Sequence, residues 1–265
     1  MTAPFEIFEG KRVPAGSGPA EPPDSEGVLE TVAIAAGKPR YFAAHLARFA
    51  RGCEHFALTS APEESVLRAA AAELLAAHKL EAGVLRWSAW RSSFDGEGWR
   101  MRVGPPRPDS LKPSWRAAIS TSRLAPPGPD RPFKHTGRRS WLEALAGNQA
   151  KDVEEVIFCD TRGIVVEGIR SNIFGVFKGR VVTPALAVGP LPGVARARIL
   201  ELAAGLGLKC EEREIPAKEW RKAGEIFATN ALMGAMPISA LDGRILAAPG
   251  PVTARIRAAW AADAG

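Results

Sequence analysis

The stretch Pro132-Phe133-Lys134-His135-Thr136-Gly137-Arg138-Arg139-Ser140-Trp141-Leu142-Glu143-Ala144-Leu145, together with the residues after it as far as Phe174, decides the fold of this chain. Lys134 stands just after a proline-rich run and just before an amphipathic one. An apolar strand is expected at Glu155–Asp160, a turn at Thr161-Arg162-Gly163, and a second strand at Ile164–Glu167 that runs into Gly168-Ile169-Arg170-Ser171-Asn172-Ile173-Phe174. A lone lysine says little, because most lysines are solvated surface charges. A lysine at a loop-to-helix junction, followed by an apolar hairpin that ends in a carboxylate, says more.

Toward the N-terminus, Leu124 to Pro132 holds four prolines in nine residues, which continue neither a strand nor a helix. A domain boundary is expected there, giving residues 1–123 as one domain, 124–133 as a linker and 134–265 as a second domain. Residues 1–26 show little periodicity, and Ala15–Ser25 reads as a mobile loop. Val28–Ile34 reads as a strand, Ala36-Gly37-Lys38-Pro39 as a turn, Arg40-Tyr41-Phe42 as the returning strand, and Ala43–Arg51 as a helix with His45 and Arg48 on one face. Thr59-Ser60-Ala61-Pro62-Glu63-Glu64 has the composition of a helix start. Val84–Arg91 and Trp99–Val103 pair as a hairpin, and Trp115–Ser120 is one more strand of the first domain.

Toward the C-terminus, Gly175–Phe177 and Arg180–Thr183 form a hairpin about Lys178-Gly179. Gly189-Pro190-Leu191-Pro192-Gly193-Val194-Ala195-Arg196 opens a helix reaching about Leu206, whose N-terminal amides make a natural phosphate cup. The strand Glu225–Ala228 empties into Thr229-Asn230-Ala231-Leu232-Met233-Gly234, an arrangement common at ligand sites. Arg255–Ala262 is a short final helix.

Composition narrows the classes. At 265 residues, with 46% apolar and 24% charged, the chain is expected to be a soluble globular protein. No apolar run is long enough to span a bilayer, and Met1–Glu6 has no basic region leading into an apolar core, so neither a membrane segment nor a secretory leader is expected. Three scattered cysteines argue for the cytoplasm and against a disulfide framework or a zinc site. The 35 basic residues against 29 acidic ones are dispersed rather than clustered, so nucleic acid is not an expected partner.

An amine that bonds covalently to an aldehyde, and an acid that keeps a ring nitrogen protonated, are the pair that pyridoxal chemistry requires. Around that pair the chain resembles the class IV aminotransferase family, the fold-type IV pyridoxal-phosphate enzymes, from about Gly27 to Gly243. The family includes branched-chain aminotransferases, D-amino acid aminotransferases and 4-amino-4-deoxychorismate lyases. The resemblance implies an α+β (α/β two-domain) fold, with a small N-terminal α/β domain and a larger C-terminal α/β pseudo-barrel domain. It implies pyridoxal 5'-phosphate as cofactor, a small-molecule carboxylate substrate and a homodimer. By position it implies that Lys134 is the catalytic lysine and Glu167 the acid at the pyridine nitrogen. Arg48, in His45-Leu46-Ala47-Arg48, would grip the phosphate with Gly193, Val194 and Thr229, while Asn230 and Ala231 complete the phosphate and carboxylate contacts.

Many family aminotransferases carry a tyrosine five residues after the lysine, where this chain has Arg139, and its sole tyrosine is Tyr41. Lys134-His135-x-x-Arg138 and Asn230-Ala231-Leu232-Met233 resemble the aminodeoxychorismate lyases instead, with Arg138 and Arg139 as candidates for a substrate carboxylate. Both arginines are equally compatible with solvated charges on an exposed helical turn. The expected activity is therefore a lyase releasing pyruvate and 4-aminobenzoate. The alternatives are an aminotransferase working between a branched-chain or D-amino acid and a 2-oxo acid, or a globular protein without a cofactor.

Overall fold

The computed structural model describes residues 4–17, 25–92, 96–137, 143, 146–147, 152–263 and 265. It divides into two compact units. The first takes the described residues within Met1–Arg107 and Phe133–Ser140, with Gly265. Its strands are β1 (Phe5–Phe8), β2 (Lys11–Pro14), β3 (Glu26–Ala35), β4 (Lys38–Pro39), β5 (Ala82–Ser92) and β6 (Gly96–Gly104). Two helices, α1 (Phe42–His55) and α2 (Glu64–His78), lie between β4 and β5 in the chain. The sheet runs β2-β1-β6-β5-β3-β4 with every neighbour antiparallel. Alternation along the strands sends Val28, Val32, Leu85, Trp87 and Met101 into one core with Leu46 and Phe49 of α1 and Leu67 and Leu74 of α2. Trp87 is fully buried there, edge-on to Phe42 and Phe49.

The second unit comprises β7 (Trp115–Leu124), β8 (Glu155–Asp160), β9 (Val165–Gly168), β10 (Asn172–Phe177), β11 (Arg180–Pro184), β12 (Cys210–Arg213), β13 (Glu225–Asn230), β14 (Gly234–Leu241) and β15 (Arg244–Ile245), with helices α3 (Val194–Gly205), α4 (Ala217–Trp220) and α5 (Pro251–Ala262). The path β12-β11-β10-β13-β14-β7-β8-β9 is mixed: β11/β12, β14/β7 and β7/β8 are parallel. The β10–β11 hairpin turns on Lys178 and Gly179, both at positive φ (49° and 78°), as a tight two-residue turn requires. The whole is an α+β fold built mainly of sheet.

Several expectations shift. Arg40–Phe42 is not a strand: Tyr41 adopts a left-handed conformation and α1 begins at Phe42. The early residues form the β1–β2 hairpin rather than a featureless run, while 18–24 of the expected loop lie outside the described residues. Helix α2 begins at Glu64, later than Thr59-Ser60 suggested, because the Thr59 hydroxyl and the Ser60 amide are bound to Glu97 instead of capping it. The largest shift concerns the division of the chain. β7 pairs in parallel with β8 and β14, so it belongs to the second sheet and not to a domain ending at residue 123. Conversely, the start of the expected 134–265 domain goes with the first unit, because it is hydrogen-bonded to β3.

Candidate active site

In the first unit, the backbone at Lys134 lies along the edge of β3. The Leu29 N–H donates to the Lys134 carbonyl (3.0 Å), Val28 bridges His135, and the Thr136 hydroxyl donates to the Ser25 carbonyl (2.8 Å). The flanking rings fix the register. Phe133 stacks on His55 (4.1 Å between centroids) and, like His135, packs 6.1 Å from Phe56 at the end of α1. Lys134 thus starts from the opposite face of the strand to its two neighbours.

Beside it is a buried polar trio. Glu30, on β3, accepts hydrogen bonds from Arg48 Nε and Nη2 (both 2.7 Å) and lies 2.7 Å from His45 Nδ1. Burial opposes ionisation of Glu30. The charge of Arg48, the hydrogen bonds of His45 and Arg48, and the charge of Lys134 outweigh it and hold the carboxyl well below the usual range. For His45 burial dominates and pushes the imidazole down, against the pull of Glu30. The imidazole is therefore neutral, with Nδ1 donating. The Nε–Nη2 edge of Arg48 is taken by Glu30, so a phosphate would meet its other edge.

In the second unit, six of the expected residues lie around one end of the β10/β13 pair. Glu167 lies next to the end of β9 and accepts from the Leu191 N–H (2.9 Å). Asn172, opposite Thr229 in the ladder, donates to the Leu191 carbonyl (2.8 Å). Gly193 packs so closely on Asn172 that a Cβ there would lie 2.2 Å from Asn172 Oδ1. Val194 begins α3, whose N-terminus has no side-chain cap among the described residues. The Thr229 hydroxyl is fully buried and has no partner among the described residues. Asn230 is occupied with protein groups: its amide donates to the Arg170 carbonyl (3.1 Å) and its oxygen accepts from Leu232 (3.0 Å), leaving Ala231 half-buried between them. Uncapped helix amides, a tight glycine approach and a partnerless buried hydroxyl are what a phosphate monoester needs, and Glu167 nearby supplies an acid. These residues fit pyridoxal phosphate.

Sequence reasoning missed the groups that hold this cup. Glu155, fully buried, accepts from Ile169 N–H (2.8 Å) and the Ser171 hydroxyl (2.5 Å) and so braces the turn leaving Glu167. A Cβ on Gly168 would lie 2.6 Å from its carboxyl carbon. Burial pushes Glu155 up to about 7, against the hydrogen bonds and the Arg170 charge. Glu155 was visible only as a strand residue, and Glu30 only as a polar residue in an apolar alternation. Arg138 and Arg139 lie outside the described residues.

A family model described as amino-transferase class IV matches residues 27–241. The chain belongs to that family. Its members are pyridoxal 5'-phosphate enzymes, and a branched-chain amino acid aminotransferase from Thermobaculum terrenum in its pyridoxal-phosphate form shares this fold, with TM-score 0.83 over 98% of this chain and 95% of that one at 20% identity. The 4-amino-4-deoxychorismate lyase of Pseudomonas aeruginosa matches over 98% of this chain and 99% of its own, with TM-score 0.80 and 27% identity. A Thermotoga maritima "probable branched-chain-amino-acid aminotransferase" is 36% identical over 126 residues, 47% of this chain and 45% of that protein. The match thus spans less than half the length of that relative. Among the described residues, no helix is long and apolar enough to cross a membrane.

Proposed function

We propose that this class IV enzyme is a 4-amino-4-deoxychorismate lyase, releasing pyruvate and 4-aminobenzoate. The observation that carries the reading is the end-to-end likeness to the Pseudomonas lyase at 27% identity. The lyase-like Lys134-His135-x-x-Arg138 and Asn230-Ala231-Leu232-Met233 support it. Pyridoxal phosphate, when bound, supplies an electron sink for the carbon bearing the substrate amine. The rest falls to the chain. Lys134 would hold the cofactor and would serve as the group that moves the proton at that carbon. Glu167 holds a proton at the pyridine nitrogen, kept in place by the Leu191 amide. Val194 and its neighbours at the head of α3, Thr229 and Arg48 bind the phosphate. A cytoplasmic homodimer acting on a small carboxylate completes the proposal.

One observation favours a second reading: the 36% identity to the Thermotoga protein named as an aminotransferase. Supplying 4-amino-4-deoxychorismate and measuring 4-aminobenzoate and pyruvate, against amino transfer to 2-oxoglutarate, separates the two. Robust transfer without 4-aminobenzoate ends the lyase reading. In Lys134→Ala, the visible absorbance of covalently held pyridoxal disappears and either activity falls to background.

A further inference from the structure

Three residues, Ile169-Arg170-Ser171, carry the chain from the end of β9, with Glu167, into β10, with Asn172. Where those two side chains lie therefore depends on how this link is held. One hold is Glu155, through the Ile169 N–H and the Ser171 hydroxyl. A second is Arg170, with a different kind of contact. One Nη of its guanidinium donates to Asp109 Oδ2 and the other to the Glu154 carbonyl, both at 2.6 Å. Its Cζ lies 4.9 Å from the centre of a Trp115 ring. The Trp115 Nε1–H donates to the Asp109 carbonyl (2.9 Å), which closes the set. Asp109 belongs to the short 3-10 turn Pro108–Leu111, Trp115 opens β7, and Glu154 immediately precedes β8. One side chain thus ties the link to three other stretches of the chain.

The backbone of Arg170 serves the other arm of the cup. Its carbonyl accepts from the Asn230 amide (3.1 Å), next to Thr229 in the chain, so the two arms meet at this residue. The side chains of Arg170 and Asp109 are only 27% and 25% exposed, so their charges are screened less than on an open surface. A planar guanidinium that fills two hydrogen bonds and an aromatic contact together is confined to one geometry, which an ammonium on a flexible stem is not. Removing such a pair of ions from water offsets much of their attraction, so what the pair supplies here is position. Position is what a carboxyl at a ring nitrogen needs, because a hydrogen bond weakens steeply as its distance and angle leave the ideal.

We infer that Arg170 is a positioning residue for the cofactor's acid: by fixing the link it sets where Glu167 meets the pyridine nitrogen, and through its carbonyl it keeps Asn230 and Thr229 in step with that acid. The inference rests on the assignment of Glu167 to the pyridine nitrogen, and not on the choice between lyase and aminotransferase. The test is a pH titration of the visible band of the pyridoxal-phosphate-loaded enzyme, with cofactor affinity measured by equilibrium dialysis. A ring nitrogen that loses its proton makes the nitrogen joined to Lys134 more basic, so a loosened Glu167 moves the midpoint of the band to higher pH. Arg170→Met, which keeps the stem and loses the fork, is expected to raise the midpoint by about half a pH unit or more and to weaken cofactor binding about fivefold or more. Arg170→Lys, which keeps the charge without the fork, is expected to fall between the methionine variant and the wild type. If Arg170→Met loses its thermal transition, Asp109→Asn is titrated instead and is expected to show a smaller shift in the same direction. A variant that melts earlier but keeps the wild-type midpoint and affinity has lost only a structural contact and overturns the inference. Glu167→Gln separates the two assignments. If it leaves the midpoint unmoved, the assignment of Glu167 falls and this inference falls with it. If it moves the midpoint and the Arg170 or Asp109 variant does not, the inference falls alone.

Discussion

Glu30 holds Arg48 through two hydrogen bonds of 2.7 Å, in a place where both side chains are shut away from water. Such a pair is weak evidence for net stability, since desolvating two ions costs about what their attraction returns. Breaking it is another matter. Glu30→Gln leaves a buried guanidinium without its counter-charge and is expected to cost about 3 kcal/mol. Urea unfolding of the cofactor-free protein at neutral pH checks this. A loss below about 1 kcal/mol would mean that water or another acid takes over the role.

Glu155 predicts an unusual pH response. Its carboxyl is raised from the ordinary 4.5 to about 7 by burial. Between those values the unfolded chain has released this proton and the folded chain has kept it, so stability falls as pH rises from about 4.5 and levels off above about 7. The full effect is about 3 kcal/mol. Glu155→Gln, which cannot ionise, is expected to flatten this segment of the stability–pH curve. An identical slope in both proteins would show that the carboxyl ionises normally.

Gly193 offers a steric test of the phosphate cup. Its φ of −70° suits any residue, so alanine there is not strained by its backbone and only the approach to Asn172 is at stake. Gly193→Ala is expected to weaken pyridoxal-phosphate binding by about tenfold or more, equivalent to about 1.4 kcal/mol. The circular dichroism spectrum should stay as it was. Equilibrium dialysis of the cofactor reads the change, and unaltered affinity would remove this loop from the cup.

Thr229 should show a trade. A fully buried hydroxyl without a partner is costly to fold around, so Thr229→Val is expected to stabilise the cofactor-free protein by about 1 kcal/mol. The same substitution should lower cofactor affinity, because the hydroxyl's proposed partner is the phosphate. A variant that gains stability and keeps full affinity would leave the hydroxyl without a use.

Much of the local structure around the candidate site was legible in the sequence because it consists of local motifs. Gly193-Val194 announces a helix start, and Glu167 follows directly on the apolar run Ile164-Val165-Val166. Lys178-Gly179 named its own turn. What could not be read depends on partners far away in sequence. Thr59 and Ser60 look like a cap until Glu97, on β6, claims them. Trp115–Leu124 reads as a strand wherever it is placed, and only its parallel pairing with β8 and β14 assigns it to the second sheet. The β1–β2 hairpin is short, and its Phe5-x-Ile7 alternation was masked by the glycines and prolines around it. Glu30 and Glu155 were invisible as functional groups, since one acid inside an apolar strand looks the same whether it is solvated or braced.

The return of the chain to β3 bears on how this enzyme can be cut. Residues 133–137 come back from the far side of β7 in sequence to cover an open flank of β3, tied by Leu29–Lys134 and Thr136–Ser25. A fragment ending near Arg107 would forfeit both the reactive lysine and that cover, leaving unpaired amides ready to recruit another chain. Its fate on expression should be insolubility rather than a small folded module.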